Sequence, residues 1–352
     1  MSQVQLEEQI QTMEADSGIS QIPLPSPNAL KSKYPLGTEL VSQVARQRED
    51  IQKIVRGEDK RLLVITGPCS LHCHDSALDY AKRLAVLADK YSDKLMIVMR
   101  AYLEKPRTSV GWKGMLYDPH MDGSNDIGAG IEVSRKLLVE LASLGLPLAT
   151  EALNPLAISY LDDVLSWVAI GARTTESQTH REMASALPCP VGFKNGTDGG
   201  LEVAINALVS AAHSHSYFSM CQDGLIHSVR SAGNAYGQLV LRGGKHGPNY
   251  DAVHLAQAKK LMRAADLTPS VVVDCSHENS AKDHSRQSAV IADVLEQRRA
   301  GCDVIKGVML ESHIEEGRQG VSTNMQYGKS VTDACIGWGE TADLLQLLSA
   351  SL

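Results

Sequence analysis

The feature of this chain that most constrains its fold is a series of eight short apolar runs, separated mostly by stretches with helical periodicity. Within the runs apolar residues follow one another without alternation, which is typical of parallel strands covered on both faces. Eight strand–helix units predict an α/β fold, a (β/α)8 barrel of the TIM type, which needs about 250 residues. The runs span residues 62–66, 95–99, 147–150, 167–170, 191–193, 239–241, 271–273 and 304–310.

An open, doubly wound sheet is the competing interpretation of the same alternation of strands and helices. The glycine pattern G-x-G-x-x-G, which marks dinucleotide-binding sheets of that kind, does not follow the first run. We therefore divide the 352 residues into an N-terminal extension, residues 1–60, and a catalytic barrel, residues 61–352. The extension is expected to serve regulation or oligomerisation.

The extension is expected to begin loosely ordered. Alternating prolines at positions 23, 25 and 27 disfavour a helix and predict an extended segment. A helix is predicted to follow over residues 38–56, with Thr38 as its N-terminal cap and Gly57 as the residue that ends it.

Two insertions exceed what a barrel requires. Residues 105–126, after the second run, form a long polar stretch with several glycines and prolines. Residues 217–231 predict a β-hairpin with strands 217–221 and 225–230, turned by Gln222-Asp223-Gly224. Long ordered insertions usually have a function.

Composition excludes several classes of partner. The formal net charge of −7 argues against binding to nucleic acid or to a membrane surface. Residues 1–17 lack the apolar region of a signal peptide, and no apolar run is long enough to cross a bilayer, so a cytoplasmic location is expected. Seven cysteines without regular spacing do not predict a disulfide framework.

The fourth run ends in a pattern suited to an anion. Gly171 and Ala172 allow backbone N–H groups to approach a ligand closely, and Arg173 can bind an anionic group with two parallel hydrogen bonds. A simple ion pair with a nearby glutamate is the alternative for an isolated arginine of this kind.

Other runs also end near cations. In a barrel the C-terminal ends of all strands meet at one face, so these side chains would converge there. Their mutual repulsion indicates anionic ligands, phosphates or carboxylates, and more than one of them. Ion pairs on the rim with Glu104, Glu151 or Glu176 are the alternative. The six cations are Arg100, Lys105, Arg107, Arg173, Lys194 and Arg242.

A second group at this face offers metal ligands. Cys69, His277 and Glu311 follow the first, seventh and eighth runs, and Asp333 lies in the loop beyond. A thiolate, an imidazole and two carboxylates suit zinc, iron, manganese or copper, whereas Mg²⁺ does not select a thiolate. Structural roles for the cysteine and the histidine are the alternative. Asp274 is expected either to contact His277 or to cap its loop.

Taken together, these residues lie in motifs that resemble the class I 3-deoxy-D-arabino-heptulosonate 7-phosphate (DAHP) synthases. The similar blocks occur in order from about residue 35 to residue 345, and several have eight residues or more. They include Gly-Pro-Cys-Ser at 67–70, Glu-Lys-Pro-Arg-Thr at 104–108, and the segments 171–181, 192–199, 241–244, 274–280, 311–317 and 330–338.

The resemblance implies a reaction. Phosphoenolpyruvate condenses with D-erythrose 4-phosphate and water to give DAHP and inorganic phosphate, the first step of the shikimate pathway and of aromatic amino-acid biosynthesis. The two substrates present two phosphates and one carboxylate to the cations.

The resemblance also assigns residues to the substrates. It implies that Arg173 and Arg242, with the backbone of Gly171 and Ala172, bind the phosphate of phosphoenolpyruvate. The implied ligands of its carboxylate are Arg100, Lys105 and Lys194, and those of the aldose phosphate are Arg107 and Thr108.

By the same resemblance Cys69, His277, Glu311 and Asp333 hold one divalent ion. Mn²⁺ is the expected ion, with Fe²⁺, Zn²⁺ and Co²⁺ as alternatives. The catalytic groups are then Lys105, as proton donor to the nascent alkoxide, Glu151, and the ligands Cys69, His277 and Asp333.

Regulation and assembly are further implications. Relatives with an N-terminal extension and a hairpin are often feedback-inhibited by an aromatic amino acid, near the hairpin and the helix after strand three, which makes Ser219 a candidate contact. The sequences of residues 147–153 and 274–277 are most similar to those of tyrosine-sensitive members. Pro188, however, stands where relatives often have serine, which weakens this assignment of the inhibitor. A homodimer or homotetramer is expected.

Three other functions are weaker interpretations. The related 3-deoxy-octulosonate 8-phosphate synthases use arabinose 5-phosphate, but their phosphate loop differs from residues 105–108. A non-catalytic metabolite-binding protein would be expected to have lost a metal ligand. A metal hydrolase would not explain six converging cations.

Overall fold

A closed barrel of eight parallel strands forms the centre of the protein. The computed structural model describes residues 20–107 and 110–352. Within these ranges β1 pairs with both β2 and β10, which closes the barrel in the order β1-β2-β3-β4-β5-β8-β9-β10. Its strands are β1 (Leu62–Gly67), β2 (Leu95–Arg100), β3 (Leu148–Glu151), β4 (Trp167–Ile170), β5 (Val191–Lys194), β8 (Gly237–Leu241), β9 (Val271–Asp274) and β10 (Ile305–Glu311).

The predicted (β/α)8 fold is confirmed, and each of the eight apolar runs overlaps one barrel strand. Helices pack around the strands and bury the outward-facing apolar side chains. The described helices are α1 (Pro27–Lys33), α2 (Thr38–Arg56), α3 (His74–Lys90), α4 (Ile127–Ala142), α5 (Gln178–Ala186), α6 (Glu202–Ala212), α7 (Ala252–Ala264), α8 (Gln287–Arg299) and α9 (Trp338–Ser351).

The barrel interior contains its own apolar cluster, and α2 contributes to it. Ile51, Ile54 and Val55 of α2 pack with interior side chains such as Leu63 and Trp167. These α2 residues are buried, so the C-terminal half of α2 extends the interior core beyond the strands. The helix thereby fixes the N-terminal extension to the barrel.

Details of the N-terminal elements differ from the predictions. The cap of α2 is Gly37, in extended conformation, and Thr38 is the first helical residue; Gly57 ends the helix in the left-handed region, as predicted. Pro27 begins α1 instead of preventing a helix, because a proline at the first helical position has no N–H to satisfy. The Ser26 side chain caps this helix.

The connection between β3 and β4 also departs from the expected pattern. It contains a single-turn 3-10 helix, Ala157–Tyr160, and no α-helix. The expected helix after strand three is therefore absent from these described residues.

The predicted hairpin is present as β6 (Ser216–Met220) and β7 (Ile226–Arg230), which pair antiparallel. Its turn contacts α1, since the backbone N–H of Asn28 donates to the Gln222 carbonyl (2.8 Å) and Lys31 Nζ donates to Gln222 Oε1 (2.9 Å). The hairpin and the N-terminal extension are thus in direct contact.

A second small sheet was not predicted. β11 (Glu315–Arg318) pairs with β12 (Lys329–Ser330) in the long segment after β10. All seven cysteines are free thiols in the structure. Among the described residues no helix has both the length and the apolar character needed to span a membrane.

Replacing Gly192 by alanine tests the packing of the barrel. A Cβ atom at Gly192 would collide with the Trp167 ring and lie 2.7 Å from Val240 Cγ2. We expect Gly192→Ala to lower the free energy of unfolding by about 1–3 kcal/mol, measured by urea denaturation.

Gly339→Ala is the matched control, because a Cβ atom there meets nothing within 4 Å and the residue lies in α9. It should leave the free energy of unfolding unchanged or raise it by up to about 1 kcal/mol. Equal effects of the two substitutions would contradict the packing described for Gly192.

Candidate active site

The C-terminal ends of the barrel strands surround a cavity of about 460 Å³. Most of the residues predicted from sequence meet there. The predicted site residues that line it are Lys105, Arg107, Glu151, Gly171, Ala172, Arg173, Lys194, Arg242, His277 and Asp333. Cys69, Arg100 and Glu311 are buried and do not line it. Thr108 lies outside the described residues.

Buried carboxylates compensate two of the cations. Arg100, with no exposed surface, donates from Nη2 to Glu311 Oε1 (3.1 Å). Lys194 donates from Nζ to Asp274 Oδ2 (3.1 Å). Burial alone would lower the pKa of the Lys194 ammonium, but the Asp274 charge raises it above the ordinary value. Both cations therefore remain charged inside the protein.

Two further cations lie close to carboxylates other than Glu104, Glu151 and Glu176. Lys105 Nζ is 3.6 Å from Asp333 Oδ2, and Arg242 Nη2 is 3.8 Å from Glu278 Oε1. Arg107 lies exposed and donates from Nε to the Trp112 carbonyl (2.7 Å). The carboxylates beside Lys105 and Arg242 thus line the cavity themselves.

A thiol and two carboxylates form a candidate metal centre. Ligand atoms of Cys69, Glu311 and Asp333 all lie within 4.8 Å of one another. Lys105 Nζ donates to Cys69 Sγ (2.9 Å), and the backbone N–H of Asp333 points at the same sulfur (3.3 Å). Burial and the nearby Glu311 charge raise the pKa of the Cys69 thiol to about 12.

His277 approaches this centre from the 3-10 helix after β9, but it is outside the mutual 4.8 Å group. Its Nδ1 is 2.9 Å from Asp274 Oδ2 and 2.8 Å from Ser276 Oγ. That arrangement leaves Nε2 as the ring nitrogen available to a ligand. Asp274 also caps the loop through the backbone N–H of Ser276 (3.1 Å), so it fulfils both of the expected roles. The donor set fits a divalent ion that accepts sulfur.

Glu151, the last residue of β3, lies against the glycine that follows β4. A Cβ atom at Gly171 would collide with Glu151 Oε1, so the position of this carboxylate requires a glycine there. Thr175 ties the same loop to β5, because its Oγ1 donates to the carbonyls of Gly171 and Lys194, each at 2.9 Å. The loop after β4 is therefore hydrogen-bonded to the end of β5 and packs against the Glu151 carboxylate at the end of β3.

A model of the DAHP synthetase I family matches residues 38–346. The chain belongs to this family. It is 52% identical over 332 residues to the Tyr-sensitive phospho-2-dehydro-3-deoxyheptonate aldolase of Escherichia coli (strain K12), with 94% of this chain and 93% of the relative covered. The Phe-sensitive enzyme of the same strain is 49% identical over 325 residues, covering 92% of this chain and 93% of the relative.

A solved structure supports the same conclusion. The phospho-2-dehydro-3-deoxyheptonate aldolase from Francisella tularensis SCHU S4 has a TM-score of 0.93 to this protein at 40% sequence identity. The alignment covers 94% of this chain and 97% of that chain. The family membership predicted from the motifs is confirmed.

Three buried asparagines of this DAHP synthetase I family member were not identified as site residues from sequence. Asn195 Oδ1 accepts the backbone N–H of Arg242 (2.8 Å), and Asn249 Oδ1 accepts that of Gly243 (2.8 Å). Asn279 Nδ2 donates to the carbonyls of both neighbouring strand ends. Asn195 and Asn279 lie within the quoted motifs, but nothing in one sequence indicates that these side chains meet.

The structure places Ser219, the predicted inhibitor contact, in β6 opposite His227. It is half-buried and does not line the active-site cavity.

Glu104 is a second functional candidate that sequence reasoning missed. Its Oε2 accepts the backbone N–H groups of Leu153 and Asn154, each at 3.3 Å, while Oε1 is buried without a described partner. Burial, with a smaller contribution from Glu151, raises the pKa of this carboxyl to about 7. Glu104 thus joins the loop after β2 to the loop after β3.

The raised pKa of Glu104 predicts a pH-dependent stability. Because the folded protein holds this proton more tightly than the unfolded chain, the wild type loses stability as the pH rises from about 4.5 to about 7. Glu104→Gln removes that loss. We compare the free energy of unfolding of the variant with that of the wild type. This difference should be more favourable to the variant above pH 7 than at pH 5, by on the order of 1–3 kcal/mol.

Urea unfolding of both proteins at pH 5 and at pH 8 measures this difference. If the stability difference between Glu104→Gln and the wild type is the same at both pH values, the raised pKa of Glu104 is contradicted.

Proposed function

We propose that this protein condenses phosphoenolpyruvate with D-erythrose 4-phosphate and water to give DAHP and inorganic phosphate, the first step of the shikimate pathway. The observation that supports this most is one cavity lined by Lys105, Arg173, Lys194 and Arg242, with a thiol–carboxylate centre at its edge, in a chain of this family. The cations match the phosphate and carboxylate groups of the substrates.

Phosphoenolpyruvate is proposed to bind with its phosphate at Arg173, Arg242 and the backbone of Gly171 and Ala172, all of which line the cavity. Lys105 and Lys194 bind its carboxylate.

Arg100 supports the carboxylate subsite through its charge, since the guanidinium is buried and paired with Glu311. The aldose phosphate is assigned to Arg107 and Thr108. Arg107 Nε donates to the Trp112 carbonyl, and within residues 20–107 and 110–352 no hydrogen bond of its terminal nitrogens is seen.

One divalent ion is proposed at Cys69, His277, Glu311 and Asp333, with Mn²⁺ expected and Fe²⁺, Zn²⁺ and Co²⁺ as alternatives. The convergence of a sulfur with two carboxylates supports this assignment. When bound, the ion supplies Lewis-acid chemistry to the aldehyde oxygen or to water.

Proton transfers are assigned to two side chains of the cavity. Attack of C3 of phosphoenolpyruvate on the aldehyde carbon gives an alkoxide and leaves positive character at C2. Lys105 Nζ, beside Cys69 Sγ and Asp333, is the proposed proton donor to the alkoxide. Glu151 is proposed to stabilise the positive charge and to accept the proton of the water that adds at C2. The resulting hemiketal phosphate then releases inorganic phosphate.

Regulation by an aromatic amino acid is part of the proposal, with tyrosine favoured. The names of relatives as Tyr-, Trp- and Phe-sensitive support an aromatic inhibitor. Ser219 is retained as a candidate contact. Contacts between α1 and the hairpin turn support a shared regulatory or oligomerisation role for residues 1–60 and 217–231. We also propose that the protein forms a homodimer or homotetramer and is located in the cytoplasm.

Phosphate release from phosphoenolpyruvate, with and without erythrose 4-phosphate, tests this function. Activity should disappear after EDTA treatment and return with Mn²⁺, and tyrosine should inhibit more strongly than phenylalanine or tryptophan. Phosphate release that stays at background with every divalent ion would refute the proposal for this aldose. Arabinose 5-phosphate would then be tested.

Gly171→Ala tests the role assigned to Glu151. The added methyl group displaces the Glu151 carboxylate, which is the mobile end of a side chain, so the fold should be retained. We expect kcat to fall by about tenfold or more, because small displacements of a catalytic group are costly. Circular dichroism and the urea midpoint should match the wild type within experimental error.

Gly339→Ala introduces the same methyl group away from the cavity and serves as the control. Unchanged kcat in Gly171→Ala would exclude a catalytic role that depends on the position of Glu151.

A further inference from the structure

Among the carboxylates that line the active-site cavity, Glu278 is the one that lies beside Arg242. Its Oε1 lies 3.8 Å from Arg242 Nη2 and 3.0 Å from Lys282 Nζ. All three residues line the active-site cavity. Arg242, proposed above to bind a phosphate, therefore already has a carboxylate beside it.

The backbone holds Glu278 in this position. Its N–H donates to the Arg242 carbonyl (3.2 Å), which joins the loop after β9 to the end of β8. Gly243 has a left-handed φ of 75°, and a Cβ atom there would lie 2.8 Å from Glu278 Cβ. The two segments are in contact, so the backbone of Glu278 stays beside Arg242. Its carboxylate can move away only by rotation of the side chain.

Lys282 approaches the same carboxylate through an unusual turn. Ala281 and Lys282 both have positive φ, at 53° and 60°, and the Lys282 N–H donates to the His277 carbonyl (2.6 Å). Glu278 is consequently shared between a nearly buried arginine and an exposed lysine.

The exposure of Glu278 differs from that of the buried carboxylates that pair with Arg100 and Lys194. The side chains of Glu311 and Asp274 are 2% and 0% exposed, whereas that of Glu278 is 28% exposed. A buried carboxylate cannot leave its cation without a large desolvation penalty, but a partly hydrated one can separate from its partner at small cost. Glu278 can therefore be displaced by a stronger anion.

We propose that Glu278 is an internal competitor for Arg242, which weakens the binding of the phosphate group of phosphoenolpyruvate and favours the release of inorganic phosphate. This inference rests on the proposed function, since it takes the displacing anion to be that phosphate. Removal of the Glu278 charge then strengthens binding at Arg242, the opposite of what removal of a substrate-binding group does. The aldose phosphate, assigned to Arg107, is not affected.

Glu278→Gln tests the proposal, because it keeps the size of the side chain and removes its charge. The control is Glu296→Gln, which makes the same change in net charge at an exposed position of α8 outside the cavity. Calorimetry of the full chain with Mn²⁺ added measures the dissociation constants of inorganic phosphate and of phosphoenolpyruvate. Both should fall by about three- to tenfold in Glu278→Gln and stay unchanged in the control.

Kinetics give a second readout. In Glu278→Gln the KM for phosphoenolpyruvate and the inhibition constant of phosphate should fall together, while the KM for erythrose 4-phosphate stays the same. Glu278→Asp, which retains the charge, should resemble the wild type. Unchanged or weaker phosphate binding by Glu278→Gln would overturn the inference.

The binding measurement does not depend on turnover. Tighter phosphate binding by Glu278→Gln in a protein that shows no synthase activity would support the competitor role and would refute the proposed function alone.

Discussion

The buried ion pairs of Arg100 with Glu311 and of Lys194 with Asp274 are the interactions on which the rest of this site depends. Each pair connects two barrel strands that flank a third, β2 with β10 around β1 and β5 with β9 around β8. A cation without such a partner could not remain charged in the interior. The carboxylates therefore allow positive charge to be placed beneath a cavity that also receives charge from Lys105, Arg173 and Arg242.

The barrel makes this concentration of charge possible, since parallel strands end at one face and their loops meet there. The charged face also needs a rigid support. The apolar cluster of the barrel interior, which α2 extends with Ile51 and Ile54, provides it. Hydrogen bonds between loops complete the support, for example those of Asn195 to the Arg242 backbone and of Thr175 to the Lys194 carbonyl. Function is thus concentrated at one end of a core that does not itself take part in the chemistry.

Much of this could be predicted from sequence because strands buried on both faces appear as uninterrupted apolar runs, and because glycines and cations follow them. The predictions of a cap at Thr38 and of an extended segment through Pro27 were wrong in detail, since local propensity allows either outcome there. Two features depend on contacts between residues that are distant in the chain. They are the ion pair of Arg242 with Glu278 and the pairing of β11 with β12. One sequence contains no direct signal for such contacts.

Equilibrium binding of phosphoenolpyruvate to the metal-free chain tests the central claim most directly, since it separates anion binding from catalysis. Calorimetry should show one site per chain, with an affinity that falls as the salt concentration rises, because the cations lie in a cavity open to solvent. No detectable binding at about 1 mM ligand, where even an interaction of roughly 4 kcal/mol is visible, would contradict the account.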